Sequence, residues 1–435
     1  MRYMTMREQR INNQKTIKEE NIKTLFSLIS SDPGITRAQL GRVTTLSPTT
    51  VSTLVDELVQ RGLVVETGPA DTQSAGRKPI SLKVNPRGRQ LALFSLSRWG
   101  IRFWLYNLAL EEVDTHFIEY SADHYGGFAE EADGTEPDAG EDYMSLIESI
   151  LIKSPYCDPS RLLAICISFP GIRLAREKAF SWSAMRVSFS EADVLQLEKR
   201  LNVPVFLGNA ALSRAYAEKK YLEGPNAQVQ DLIYVTVRDG LGAGIIAGGV
   251  FLTGRDNSAG EIGHVSVDYK GKRCACGQRG CVEQFVTIDA LTERVQKALN
   301  LKELPTVAEI GEQCLKGNPI ACEIVDDVAA MLFTAIFSTV CVSGIKRVVI
   351  GGGIEQLGDY FLDQLRAFPR NNPRNKLARD IDISYARSGL YGDIRGIAQF
   401  YLDNVFTITM DPDDMNGQNG WEPITAQAVP GRALL

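Results

Sequence analysis

Residues 259–283 read AGEIGHVSVDYKGKRCACGQRGCVE. Within this stretch His264, Cys274, Cys276 and Cys281 supply one imidazole and three thiolates. That set suits tetrahedral zinc, with all four positions filled by protein and none left open for catalysis. The chain has only three histidines, and the other two, His116 and His124, lie in unrelated context. A structural site of this kind contributes roughly 10 kcal/mol or more to local folding. The alternative is a cluster of free cysteines without metal. Eight cysteines in 435 residues do not make a disulfide scaffold. Three of them crowded into residues 274–281 suggest metal in a reducing cytoplasm.

Around this loop the texture is α/β. Residues 91–96 and 101–108 read as paired strands and 162–167 as a third. After Pro204, residues 205–207 lead into a helix through Tyr221. Residues 232–237 and 244–246 read as a hairpin, and 347–350 as a strand entering Gly351-Gly352-Gly353. Strands mixed with long helices and glycine-rich corners predict an α/β body of two lobes. Residues 328–345 carry no charge and are long enough to raise the membrane question. Thr334, Ser338, Thr339, Ser343 and Gly344 within them, and the strand that follows, favour a buried core helix. Residues 122–142 are rich in Asp, Glu and Gly and read as a mobile surface loop. The tail from residue 406 is polar and turn-rich.

The N-terminal end differs. Residues 16–30 place Ile17, Ile22, Leu25, Phe26 and Ile29 close to helical spacing, and Asp32-Pro33-Gly34 breaks the helix. Thr36 is a good N-cap for a short helix carrying Ala38, Leu40 and Val43 inward. After the turn Thr44-Thr45-Leu46, Ser47-Pro48 combines an N-cap with proline at the first helical position. The helix it opens buries Val51, Leu54, Val55 and Leu58. Ser47, Thr49, Thr50, Ser52 and Thr53 lie near its exposed start, the end that enters the major groove in a helix-turn-helix. Residues 63–66 and 80–84 read as a hairpin whose loop places Arg77 and Lys78 as a wing for phosphate or the minor groove. The alternative is a three-helix module for protein contacts with a solvated basic face.

Charge agrees with DNA at this end. The net charge is −6, yet residues 1–90 hold 14 Lys/Arg against 8 Asp/Glu, about +6, which leaves the rest at about −12. With 44% hydrophobic and 23% charged residues, the composition is that of a soluble globular protein. The N-terminus lacks the basic segment and apolar run of a signal peptide, so the expected location is cytoplasmic with no membrane partner.

The zinc segment and the N-terminal module together resemble the ROK family of sugar kinases and sugar-responsive repressors, from about residue 10 to about residue 402. TRAQLGRVTTLSPTTVSTLVDELVQRGLVVETG and the later AGRKP resemble the winged helix-turn-helix of its xylose-repressor and N-acetylglucosamine-repressor branch. FPG at 169–171, Glu218, GLGAG at 240–244, AGEIGH at 259–264 and GGG at 351–353 fall in family order. The resemblance implies an α/β protein with a winged helix-turn-helix in residues 1–88. A two-lobed actin-like sugar-kinase fold would follow, its small lobe in 89–204 and its large lobe with the zinc loop in 205–405.

The resemblance also supplies three checks on kinase chemistry. The phosphate turn close to Asp-x-Gly-Gly-Thr is matched by Ser95-Leu96-Ser97-Arg98-Trp99, where large side chains crowd a turn that backbone must bring near phosphate. The catalytic Asp of the Asn-Asp-Ala-Asn stretch falls on Ala210 of Asn209-Ala210-Ala211-Leu212, and a methyl group takes no proton. The later Gly-Thr-Gly turn is Arg238-Asp239-Gly240, whose carboxylate repels ATP unless a metal intervenes. Three losses on one function imply that phosphoryl transfer is gone and that the protein is not an enzyme. The sugar contacts implied by the family are Asn209, Glu261, His264 and Glu283, all present. The competing role for Glu261 and Glu283 is to orient the zinc loop through hydrogen bonds.

The reading that follows is a sugar-responsive DNA-binding regulator, expected to act as a repressor. It would be a homodimer or tetramer, since paired heads read paired half-sites. An active ATP-dependent sugar kinase with a DNA-binding head, and a regulator whose body docks a protein and binds no sugar, are the alternatives.

Overall fold

The computed structural model describes residues 6–69, 79–97, 99–119, 143–174, 176–182, 187–223, 228–254, 258–371 and 374–405. The head begins with helix α1 (Met6–Ser31), which starts ten residues earlier than the apolar spacing indicates. Ile22, Leu25, Phe26 and Ile29 are buried, whereas Ile17 faces solvent. Helix α2 (Arg37–Thr44) starts in a capping box, Thr36 accepting from the Gln39 amide while the Gln39 side chain accepts from the Thr36 amide. Only Leu40 of α2 is buried; Ala38 and Val43, read as inward, are exposed. Eight residues make only about two turns, so the helix offers few inward positions, and Ile35 ahead of it fills the core instead. Thr45 ends α2 in the left-handed conformation, at φ 59°.

Helix α3 (Pro48–Gln60) is capped by Ser47, and its inward stripe is Val51, Leu54, Val55 and Leu58, as the spacing predicts. Strands β1 (Val64–Pro69) and β2 (Ile80–Val84) pair antiparallel, Val64 opposite Val84 and Glu66 opposite Leu82. A joint of hydrogen bonds leads into the body. The Arg161 guanidinium donates to Arg87 O at 2.7 Å and Gly88 O at 3.3 Å, and Arg89 donates to Ser160 O at 3.1 Å. Gly88 is packed so closely that a Cβ there would sit 2.1 Å from Gly62 O.

The first lobe contains β3 (Gln90–Ser97), β4 (Gly100–Asn107), β5 (Glu112–Glu119), α4 (Tyr143–Lys153), β6 (Leu162–Phe169), the small sheet β7 (Ile172–Leu174), β8 (Ala179–Trp182) and β9 (Val187–Ser190), α5 (Glu191–Leu201), β10 (Val205–Asn209) and α6 (Ala210–Leu222). Its main sheet runs β10-β6-β3-β4-β5, antiparallel through β3, β4 and β5 and parallel through β3, β6 and β10. The division expected at residue 204 therefore cuts this sheet, because β10 pairs with β6.

The second lobe contains β11 (Leu232–Val237), β12 (Leu241–Ala247), β13 (Val250–Phe251), α7 (Glu283–Val286), α8 (Ile288–Leu299), α9 (Val307–Leu315), α10 (Pro319–Ser343), β14 (Arg347–Gly351), α11 (Asp359–Asn371), β15 (Asp382–Tyr385) and α12 (Gly392–Phe400). The sheet order β13-β12-β11-β14-β15 repeats the pattern of the first lobe, three antiparallel strands followed by two parallel steps. Helix α10 buries Val328, Ala329, Leu332, Ala335, Ile336 and Val340, the core helix that its uncharged sequence predicts. Among the described residues no helix is long and apolar enough to cross a membrane. Helix α12 crosses back to pack on α6, β3 and β6, so the second lobe's sequence ends inside the first.

Candidate functional site

In the loop that carries the candidate metal ligands, Gly277 (φ 90°) and Gly280 (φ 64°) bend the chain so that four donors converge. Gly280 admits no side chain, since a Cβ would sit 1.7 Å from Asp268 O. Cys274 N donates to Gln278 O and Gly277 N to Cys274 O, closing a knuckle. The donor atoms of His264, Cys274, Cys276 and Cys281 all lie within 4.8 Å of one another. Cys276 Sγ and Cys281 Sγ are 3.6 Å apart, and Cys274 Sγ is 3.8 Å from His264 Nδ1. Metal–sulfur bonds of ~2.3 Å in a tetrahedron put neighbouring donors ~3.8 Å apart, so the cluster fits a metal ion. Burial, together with the neighbouring thiols, pushes the Cys281 thiol up to about 12.

The four residues implied as sugar contacts sit on elements that meet at β12. Asn209 caps α6, its Oδ1 accepting from Ala211 N at 2.9 Å and Leu212 N at 3.1 Å, while its Nδ2 donates to Gly171 O. The first turn of α6 presses on β12, where a Cβ at Gly244 would lie 2.5 Å from Ala211 O. Gly260, at φ 95°, accepts from Ala243 N at 2.8 Å and sets Glu261 beside the same strand. Glu283 Oε2 accepts from Leu241 N at 3.0 Å. Burial and the charge of Glu283 push the Glu261 carboxyl up to about 7. His264 Nε2 is 3.8 Å from Glu261 Oε2, so one imidazole faces the metal cluster with Nδ1 and the carboxylate with Nε2.

Ala210, which the resemblance sets at the place of the kinase base, is the first residue of α6 and half-buried. The turn after β3 is closed by Ser97, whose hydroxyl donates to Gly100 O and accepts from Trp99 N; Arg98 lies outside the described residues. In the turn between β11 and β12, Arg238 N donates to Gly240 O, with Asp239 between them.

In the head, Ser47, Thr49 and Thr53 are exposed and Thr50 and Ser52 half-buried at the start of α3. Ser47 Oγ accepts from Thr50 N at 3.1 Å, and Thr53 Oγ1 donates to Thr49 O. Arg77 and Lys78 lie outside the described residues. Sequence reasoning missed Arg37, whose guanidinium meets Asp56 of α3 at 2.8 Å, Glu66 of β1 at 2.9 Å and Ser52 O at 3.1 Å. Glu57 likewise meets Lys18 of α1 at 2.8 Å and Arg61 at 2.9 Å. Both acids of α3 are thus paired within the head, which lowers their repulsion of a polyanion. It also missed Arg214, Tyr234 and Asp393 at the lobe junction. Arg214, between the apolar neighbours Leu212, Ala215 and Tyr216 of α6, is the one whose pattern carries a signal.

The sequence matches the model described as "ROK family" over residues 138–403 and that described as "MarR family" over residues 23–73. The xylose repressor of Caldicellulosiruptor bescii is 28% identical over 367 residues, 81% of this chain and 88% of its own length. The DNA-binding transcriptional dual regulator NagC of Escherichia coli is 27% identical over 381 residues, 83% and 90% of the two chains. A ROK family transcriptional regulator, a homolog of the E. coli MLC protein, superposes with TM-score 0.69 at 24% identity, covering 89% of this chain and 97% of that one. A ROK family glucokinase from Streptomyces griseus in complex with glucose and AMPPNP superposes with TM-score 0.55 at 20% identity, covering 72% and 98%. These two structures share the fold.

Proposed function

The chain belongs to the ROK family, and from that membership and the winged helix-turn-helix ahead of it we propose that it is a sugar-responsive DNA-binding repressor of carbohydrate-metabolism genes. The observation that carries this reading is the joining of a DNA-reading head to a sugar-kinase fold in which the base position is Ala210. A relative named as a xylose repressor covers 81% of this chain, and one named as a DNA-binding transcriptional dual regulator covers 83%.

In this reading, Thr49, Ser52 and Thr53 present hydroxyls and methyls to the major groove, while Arg77 and Lys78 supply the wing. Asn209, Glu261, His264 and Glu283 hold the hydroxyls of a sugar against β12. His264, Cys274, Cys276 and Cys281 hold a structural zinc ion, which fixes the loop carrying Glu261 and Glu283. With no carboxylate at position 210, the bound sugar is sensed and not phosphorylated. Closure of the lobes shifts a dimer between two head spacings and releases DNA by population shift.

Two measurements test this. Anisotropy titrations on duplexes from upstream of sugar-utilisation operons are expected to show affinity that falls steeply with salt and falls again when a cognate sugar is added. Thermal unfolding of the zinc-replete protein against free and phosphorylated sugars, with and without magnesium ATP, is expected to show a shift with one sugar. No salt-sensitive DNA binding would refute the regulator. A shift with ATP, or turnover of it, would restore kinase chemistry, and binding to DNA with no response to any sugar would favour a body that docks a protein.

A further inference from the structure

The loop that carries the candidate metal ligands also carries four cations. Lys270, Lys272, Arg273 and Arg279 are all exposed, and among the described residues none of them meets a carboxylate. The acids that flank them in sequence are turned to backbone amides: Asp268 Oδ1 accepts from Lys270 N at 3.0 Å, and Glu283 Oε2 from Leu241 N at 3.0 Å. Residues 265–282 hold these four cations against one acid, a charge of +3, whereas residues 91–435 as a whole sum to about −12. A zinc ion on three thiolates would add −1 and leave the loop at +2.

Two of the cations are held side by side. Arg273 and Arg279 face each other across an isolated antiparallel bridge. Hydrogen bonds from Gly280 N to Lys272 O (2.9 Å) and from Cys274 N to Gln278 O (2.7 Å) flank it. The two arginines are therefore a non-hydrogen-bonded pair, the kind whose side chains lie closest. Like charges set directly opposite destabilise such a pair. The backbone is pinned so that they stay opposed, Gln284 Nε2 donating to Arg273 O at 2.8 Å and Ser266 Oγ to Arg279 O at 2.8 Å. Arg279 Nη1 also donates to Gly271 O at 3.2 Å. An anion between the guanidiniums relieves the repulsion, and two planar forks suit the oxygens of a phosphate. Beside them Tyr269, 77% exposed, carries the Lys270 ammonium 5.3 Å from its ring centroid.

Four cations spread along ten residues suit a ligand whose negative charges repeat, as those of a nucleic-acid backbone do. The acidic remainder of the body repels such a ligand, which leaves this loop as the part of the body that it can approach. We propose that the loop is a second DNA contact, which binds the phosphodiester backbone without reading sequence, apart from the contacts made by the head. The inference rests on the DNA-binding reading above and needs no sugar.

The test uses the full-length, zinc-replete chain on an operator-region duplex and on an unrelated duplex of equal length, with affinity measured against salt. Arg273→Ala with Arg279→Ala, and separately Lys270→Ala with Lys272→Ala, are each expected to lower the slope of log affinity against log salt by about 2, one phosphate per cation. Arg273→Lys with Arg279→Lys keeps the charges and is expected to hold the slope. The ratio of the two affinities is expected to stay in every variant, since phosphate contacts carry no sequence. Zinc content is read alongside. Neither lysine side chain makes a hydrogen bond among the described residues, so that variant keeps the loop folded if the arginine variant loses zinc. A wild-type slope in both alanine variants overturns the inference alone. So does a wild-type slope with a smaller assembly in sedimentation, which would assign the loop to the acidic body of a second copy. A wild-type protein without salt-sensitive DNA binding overturns it together with the reading it rests on.

Discussion

In the head, Asp56 and Glu57 meet Arg37, Lys18 and Arg61 at the surface, with Asp56 58% exposed; at the lobe junction, Arg214 and Asp393 meet at 3% and 2% exposure. Water competes for the first set, so each pair contributes about 0–1 kcal/mol, and together they orient α3 more than they stabilise it. The second pair left water altogether, so either charge alone would be stranded. The pairs on α3 can therefore be removed one at a time at little cost, while removing either charge at the junction strands the other.

The largest expected effect concerns the proposed zinc site, a cluster with no counterpart among the described residues of the head. Chelation, or Cys281→Ala, is expected to remove one equivalent of bound zinc and with it roughly 10 kcal/mol of local folding free energy in the loop. Metal analysis and limited proteolysis at residues 265–280 read this. An unchanged zinc content would show that the cluster holds no metal.

Next is Asp393→Ala, which strands Arg214 and leaves Ser95 and Ser168 without their acceptor. A loss of about 3–5 kcal/mol is expected in denaturant unfolding. None of the four tryptophans lies in the head, and Trp104 and Trp182 are buried in the body, so a change in their fluorescence follows the body. A loss under ~1 kcal/mol would mean that water reaches the pair and that the contrast with the head is false.

Ser47→Ala removes the cap of α3 and is expected to cost the head about 1 kcal/mol. DNA affinity is expected to weaken while the tryptophan transition stays in place. A shift of that transition would show that head and body unfold as one unit.

The smallest effect is in pH. Burial acts to raise Glu57, but Lys18 and Arg61 hold its carboxyl below the ordinary 4.5. A carboxyl lowered in the folded state stabilises above its unfolded pKa, and that contribution is lost as pH falls through the folded value. Melting of the head by circular dichroism is expected to show an acid loss below about pH 4.5 that Glu57→Gln removes. An identical acid limb in the variant would show that the pair with Lys18 does not hold in solution.

Much of this molecule was legible before folding. The Thr36 and Ser47 caps, the inward stripe of α3 and the knuckle ligands depend on neighbours a few residues apart, and local chemistry decides them. Strand β5 was not legible, because most of its side chains face solvent and it lacks the alternation that marks a half-buried strand. Ile17, Ala38 and Val43 were misread because apolar spacing marks one face of a helix without saying whether anything covers it. Ala210 and Asp239 were read against the family resemblance, and the proposal that the sugar is not phosphorylated rests on them.

Apart from the charge of Arg214 among apolar neighbours, the lobe junction lay beyond any local pattern. Asp393 reaches Ser168 across 225 positions and Ser95 across 298. Its own stretch, Gly392-Asp393-Ile394-Arg395, reads as an ordinary helix start with an acid in the first turn. The sequence by itself determined the caps, the inward stripe of α3 and the set of His264, Cys274, Cys276 and Cys281 that converges in the loop, since each follows from residue type and short spacing. Only the tertiary structure decided that β10 joins the first sheet, that α12 returns to the first lobe, and that Arg214, Asp393 and Tyr234 meet. Such contacts form when two sheets and two crossing helices exclude water from charges that the linear chain leaves far apart.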